Sequence, residues 1–208
     1  MKTRVFWDVD TQVDFMRPDG KLYVGGAETI VSNLAALTRF AHDTGVRIVA
    51  SSDNHDPTDD ELSDAPDFSD TFPPHCLRGT PGQARIPETE LRDVLVVEPE
   101  DPRATVLERL EGHAGDILFH KHYFDVFTNP NVEPVVNALG ADQVVLYGVA
   151  LDVCNRYAVE GLLSRHPEIA LTVVTDAVRA IDEDNRDDLL GDWQSRGVSL
   201  VGTAEVVR

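Results

Sequence analysis

Cys154 is one of only two cysteines in this chain of 208 residues, and it stands where a nucleophile would. It lies in LYGVALDVCNRYAVEGLL, where the strand-like apolar run Val144 to Val149 meets a helical pattern. A cysteine in the first turn of a helix faces terminal amides and the positive end of the dipole, which favour the thiolate. In an open α/β sheet the end of a strand is also where ligands bind. A free cysteine is more often a buried small hydrophobe, so Cys154 gains weight only from the company it keeps.

Three further segments offer that company. In FWDVDTQVDF, Asp8, Asp10 and Asp14 crowd the exit of the first apolar run. A carboxylate closing a hydrophobic strand has its pKa raised toward neutrality and suits a base for a thiol. A single Asp in such a place is more often a solvated turn or a helix cap. In DILFHKHYF, Lys121 ends an apolar strand in a chain whose other lysines are Lys2 and Lys21. Strand alternation puts Lys121 on one face with Phe119 and Tyr123, and His120 and His122 on the other. A lysine beside the thiol would stabilise its thiolate and developing negative charge, whereas a bare strand-end lysine merely snorkels. His120 and His122 read as packing or surface residues.

The segments SSDNHD and FPPHC carry Asp53, His55 and His75. Two histidines and a carboxylate with open positions are a recognised transition-metal arrangement. Asp-x-His also arises by chance, and polar loop residues facing water fit the spacing equally well. In GVALDVC, Gly148 permits tight backbone geometry, and the amides of Ala150 and Cys154 are candidates for an oxyanion hole. Cys76 reads as packing, and His42, His113 and His166 as surface or structural residues.

The elements that must position these groups alternate. Strand-like runs fall at Arg4–Val9, Arg47–Ser51, Val94–Val97, Asp116–His120, Gln143–Val149, Leu171–Thr175 and Val198–Val201. Helical spacing marks Ala27–Asp43, Val132–Leu139, Cys154–Ser164 and Asp184–Ser195. The pattern predicts parallel βαβ units: one α/β domain over residues 1–208, a three-layer sandwich around a mainly parallel sheet of about six strands. The stretch from Asp53 to Arg92, rich in Asp, Pro and Gly, is expected to be an ordered active-site loop. Residues 98–105 read as a surface insertion without a role.

Composition sets the outer limits. Lys and Arg total 18 against 37 Asp and Glu, a net charge of −19, which excludes nucleic acid and anionic membrane as partners. Dense acid spread along the chain suits solubility or a salty cytoplasm. No apolar run has the length of a membrane span. Two cysteines form no disulfide framework, so a cytoplasmic protein is expected.

Taken in order, DTQVDF, SSDNHD, FPPHCLRGTPG, HKHYFDVF and GVALDVC make the chain resemble the isochorismatase-like cysteine hydrolases, and most closely their nicotinamidase/pyrazinamidase branch. The resemblance implies a catalytic set of Asp10, Lys121 and Cys154, with Asp10 rather than Asp8 as the matching acid. It implies a metal site of Asp53, His55 and His75, with Glu61 as the counterpart of a further ligand found in some members. It also implies a cis peptide between Val149 and Ala150, and Phe15 and Phe72 flanking a planar substrate ring. The implied cofactor is a divalent metal, zinc first, with iron and manganese compatible. The implied partners are a small-molecule amide and further copies of the chain. Phe72 stands where tryptophan is common, and Leu151 where a small hydroxyl residue is usual. Three readings follow: a metal-assisted aromatic amidase, a metal-independent relative cleaving a carbamoyl or ureido C–N bond, and a non-catalytic metal or ligand binder.

Overall fold

Strands that are apolar along their whole length need a sheet covered on both faces. In the computed structural model, which describes residues 3–208, such strands form one sheet. They are β1 (Arg4–Val9), β2 (Arg47–Asp53), β3 (Leu95–Val97), β4 (Ile117–Lys121), β5 (Gln143–Val149), β6 (Ala170–Arg179) and β7 (Ser199–Val201). Their order is β3-β4-β2-β1-β5-β6-β7, and every neighbouring pair is parallel. The α/β architecture is as expected, with seven strands rather than about six; β3 and β7 are short edge strands of three residues each.

Helices cover both faces. α1 (Val13–Met16) and α2 (Val31–Thr44) lie on one side, where Phe15, Met16, Leu34, Leu37 and Ala41 pack against Phe6 and Ile48. α2 buries Leu34, Leu37 and Ala41, a spacing that lines one helical face, and stops at Gly45, which takes the left-handed conformation at φ 73°. On the other side are α3 (Arg103–Leu110), α4 (Val132–Leu139), α5 (Cys154–Arg165) and α6 (Arg186–Ser195). Their Val106, Val135, Leu162 and Trp193 pack against Val5, Trp7 and Val9. The single turn α7 (Thr203–Val206) closes the chain. Among the described residues no helix is long and apolar enough to cross a membrane.

Two features differ from the sequence expectation. Residues 98–102 form a turn and 103–105 begin α3, whose Val106 and Leu110 are buried. Asn131 donates to the carbonyls of Glu98 and Asp101, so the turn is fastened to the body. An eight-residue helix with only two core contacts leaves too little periodicity to read. α1 and α7, of four residues each, are invisible for the same reason.

β2, β3 and β4 lie to one side of β1, and β5, β6 and β7 to the other. The direction of sheet growth therefore reverses at β1, and the crevice beyond the carboxyl ends of β1, β2, β4 and β5 is the place an open α/β sheet offers a ligand.

Candidate active site and metal cluster

Asp10, Lys121 and Cys154 reach that crevice from three strand ends. Asp10 follows β1 in a left-handed conformation (φ 49°), and its Oδ1 accepts from Ser51 Oγ at 2.6 Å. Lys121 is the last residue of β4, whose buried face is Ile117, Phe119 and Lys121, as strand alternation requires. Cys154 opens α5, four residues beyond a cis Val149–Ala150 peptide. Gly148 lets β5 pass close to β1: at φ 117°, a Cβ there would lie 2.1 Å from the Val9 carbonyl oxygen. Lys121 Nζ lies 3.0 Å from Asp10 Oδ2 and 3.8 Å from Cys154 Sγ, and also donates to Asp53 Oδ1. All four residues are buried.

The electrostatics differ from the thiolate expected at a helix start. Burial pushes the Cys154 thiol well above its ordinary pKa; Lys121 opposes this, while the Asp10 and Asp53 carboxylates add to it. Removing water from a thiolate costs more here than one ammonium, shared with two carboxylates, returns. Burial likewise raises Asp10, against the pull of Lys121. Burial alone would lower Lys121, but Asp10 and Asp53 hold it firmly protonated. The resting site thus holds a neutral thiol beside a carboxyl of enhanced basicity.

Asp53 also belongs to a second cluster. One ligand atom from each of Asp53, His55, Glu61 and His75 lies within 4.8 Å of the others, and all four residues are buried. His75 Nε2 is 3.3 Å from Asp53 Oδ2 and 3.7 Å from Glu61 Oε1; His55 Nε2 is 3.8 and 3.9 Å from the same two atoms. The other ring nitrogens are anchored outside: His55 Nδ1 to Asp59 at 3.0 Å and His75 Nδ1 to the Pro73 carbonyl at 2.7 Å. Both rings are therefore turned with Nε2 toward the centre, as metal-bound histidines are held. Burial, with Asp53 next in weight, lifts Glu61 to about 8. Among the described residues His55 Nε2 and Glu61 Oε2 have no hydrogen-bond partner. Buried polar atoms left this way cost energy unless something pairs with them, and this donor set of imidazoles and carboxylates fits a divalent transition ion.

Between the two clusters is a narrow cavity lined by Phe15, Leu22, Val24, Phe72, Phe124, Ala150, Val153 and Ile181, with Asp53, Glu61, His75 and Cys154 on its polar side. Phe15 lies 5.2 Å from the His75 ring, centroid to centroid. Both aromatic residues expected at the substrate ring thus line it. The loop from Asp53 to Arg92 holds its shape through bridges His55–Leu77 and Leu62–Phe72. Among the described residues no protein acceptor takes the amides of Ala150 and Cys154, whereas those of Leu151, Val153 and Asn155 are spent on carbonyls.

Several residues fall elsewhere. Asp8 is buried on the other side of β1 and pairs with Arg85. His120 bonds Glu98 at 2.8 Å, and His122 lies 3.1 Å from Glu100 and 3.3 Å from Asp59, the carboxylate that anchors His55, so neither is among the four clustered residues. Cys76 is packed, with its amide held by Asp14 at 2.7 Å. Leu151 is buried in the core and is not among the residues that line this cavity. Sequence reasoning missed Gln12, which brackets Asp53 by accepting from its amide at 2.7 Å and donating to its carbonyl at 2.8 Å. Asp59, four residues after His55, carried a readable signal; Leu22, Val24, Phe124 and Ile181 did not, because apolar lining looks like core.

The signature of the isochorismatase domain matches residues 8–205. The nicotinamidase/pyrazinamidase of Mycobacterium tuberculosis is 27% identical over 199 residues, covering 93% of this chain and 95% of that one. Among solved structures, the pyrazinamidase of Pyrococcus horikoshii in complex with zinc superposes with a TM-score of 0.75 at 22% identity, over 96% of this chain and 99% of its own. An isochorismatase family protein from Desulfovibrio vulgaris gives 0.78 at 19% identity, over 99% and 97%. At these identities the superpositions speak to the fold, and the domain signature speaks to descent. With a match that spans nearly the whole chain, this protein belongs to the isochorismatase family.

Proposed function

We propose that this protein is a metal-assisted cysteine amidohydrolase that converts a small aromatic amide, such as nicotinamide, to the acid and ammonia through a thioester. The observation that carries the reading is the meeting of Asp10, Lys121 and Cys154 beside an aromatic-lined cavity into whose wall the cluster of Asp53, His55, Glu61 and His75 sends Asp53, Glu61 and His75. The relative named nicotinamidase/pyrazinamidase supports the substrate class.

In this reading Asp10 removes the proton from the Cys154 thiol as Sγ attacks the amide carbonyl carbon. A neutral thiol next to a raised carboxyl suits a proton transfer concerted with attack. The amides of Ala150 and Cys154 hold the carbonyl oxygen as it becomes negative. Asp10 returns the proton to the nitrogen, the C–N bond breaks and ammonia leaves. A water then gives its proton to Asp10 and adds to the thioester, releasing the acid and restoring the thiol. Lys121 stays protonated throughout, offsetting charge that moves between Asp10 and Sγ. Phe15 and Phe72 flank the ring. Asp53, His55, Glu61 and His75 would hold a divalent metal, zinc by preference, which when bound supplies a Lewis-acid contact for a ring nitrogen or a water.

Ammonia release from nicotinamide and pyrazinamide, by zinc-loaded protein and by exhaustively chelated protein, tests the reading. Turnover that depends on metal is expected. Full activity after chelation would move the protein to the metal-independent carbamoyl or ureido branch, and no ammonia from any amide would leave a binding protein.

A further inference from the structure

The inner cavity has an outer neighbour. Phe72, Phe124, Val153 and Ile181 line it and also line an outer cavity, so the two adjoin across these four side chains. Aromatic rings mark the route. Centroids step 6.5 Å from His75 to Phe72, then 6.4 Å from Phe72 to Phe68 along one branch. Along the other they step 6.3 Å from Phe72 to Phe124 and 4.7 Å from Phe124 to Tyr157. The outermost apolar residues stand in water: Phe68 is 63% exposed, Ile181 52% and Tyr157 40%. Exposed apolar side chains scattered singly need no explanation, but three gathered on one cavity do.

The charge of the outer cavity is one-sided. Asp182, Asp188 and Asp192 line it against a single Arg156. Asp152 is spent on the amides of Ile181 and Asp182, both at 2.8 Å, and Asp192 lies 3.2 Å from Arg196. Asp188 makes no ion pair or side-chain hydrogen bond among the described residues. Aromatic faces followed by unpaired carboxylate attract a cation on an apolar stem.

We propose that the substrate is an aromatic primary amide bearing an apolar substituent with a cationic end, its ring in the inner cavity and its substituent running past Ile181 to Tyr157 and Asp188. The inference rests on the amidase reading and narrows its substrate class. Tyr157 and Asp188 are specificity-determining residues in it; neither touches the reacting atoms.

The test compares nicotinamide with three ring-substituted carboxamides carrying an aminoalkyl, an uncharged alkyl and a carboxyalkyl chain. The expected order of kcat/KM is aminoalkyl, alkyl, parent, carboxyalkyl, with the first about tenfold above the parent, chiefly through KM. Tyr157→Ala is expected to lower the aminoalkyl-to-parent ratio about fivefold, the scale of a partly desolvated cation–π contact. Asp188→Asn should equalise aminoalkyl and alkyl while keeping both ahead of the parent. A parent amide turned over as fast as the extended ones overturns the subsite and leaves the amidase reading intact. Calorimetry on zinc-loaded Cys154→Ala protein separates the two: the same binding order without turnover of any amide by the wild type sinks the amidase reading, and with it the claim to a substrate, while the subsite itself stands. Light scattering closes the remaining route. A wild-type oligomer that dissociates in Phe68→Asp would mean that a second copy covers this face, and the proposal would fall.

Discussion

Asp53 and Lys121 face one another across the parallel ladder of β2 and β4, and their side chains form an ion pair that joins the metal-type cluster to the Asp10–Cys154 pair. Burial would raise Asp53, but Lys121 and the two histidines hold it below the ordinary carboxylate range. One carboxylate thus serves both centres, which separates the effects of substitutions on either side of it. Asp53→Asn is expected to lower bound zinc and also to disturb Cys154, read as a changed pH dependence of thiol alkylation. His75→Ala should lower zinc content and amide turnover while alkylation of Cys154 keeps its profile. An unchanged alkylation profile in Asp53→Asn would mean that the two centres are independent.

The two buried thiols differ in what they touch. Cys154 Sγ lies 3.8 Å from Lys121 Nζ, whereas Cys76 Sγ lies 3.9 Å from the Gly82 carbonyl oxygen. Cys154→Ala is expected to abolish ammonia release, because a thioester needs the sulfur. Cys76→Ala should retain most of it. The reverse result would reassign the nucleophile.

Asp8 and Asp10 are both buried but face different partners. Asp10→Asn removes the proposed base and should cost about a thousandfold in kcat, and breaking its buried pair with Lys121 should lower the thermal midpoint as well. Asp8→Asn breaks the pair with Arg85 and should cost about 3 kcal/mol of stability while sparing turnover at low temperature. Since burial raises Asp10, the acid limb of kcat/KM is expected above the ordinary carboxyl value of 3.8. Equal kinetic losses in the two variants would mean that the register at the end of β1 has been misassigned.

Glu61 gives metal uptake a pH dependence. In the metal-free protein its pKa rises on folding from 4.5 to about 8. A carboxyl with a higher folded than unfolded pKa favours the folded state fully below the lower value, and that contribution is lost as pH rises through the higher one. The thermal midpoint of chelated protein should therefore fall between pH 4.5 and about 8, and Glu61→Gln should flatten the fall. Zinc needs the carboxylate, so affinity should climb by up to about tenfold per pH unit in the same window. A zinc affinity equally steep in Glu61→Gln would remove Glu61 from the ligand set.

Local pattern determined much of this protein. Gln143–Val149 and Val132–Leu139 form with the bounds their spacing implies, because apolar alternation and helical periodicity report which local conformation buries a face. The ordered motifs likewise placed Asp10, Asp53, Lys121 and Cys154 at strand ends. Residues 98–105 defeated that reading, since Val106 and Leu110 alone are too few to set a period. What only the tertiary structure decided depends on distance and burial between remote segments. The Asp53–Lys121 pair joins residues 68 apart through strand order. The raised pKa of the Cys154 thiol follows from its burial beside two carboxylates, which outweighs the helix start that sequence can show. The exposed aromatic route through Phe68 and Tyr157 exists because the loop before β3 and the first turn of α5 meet in space, and nothing in either segment alone records the meeting.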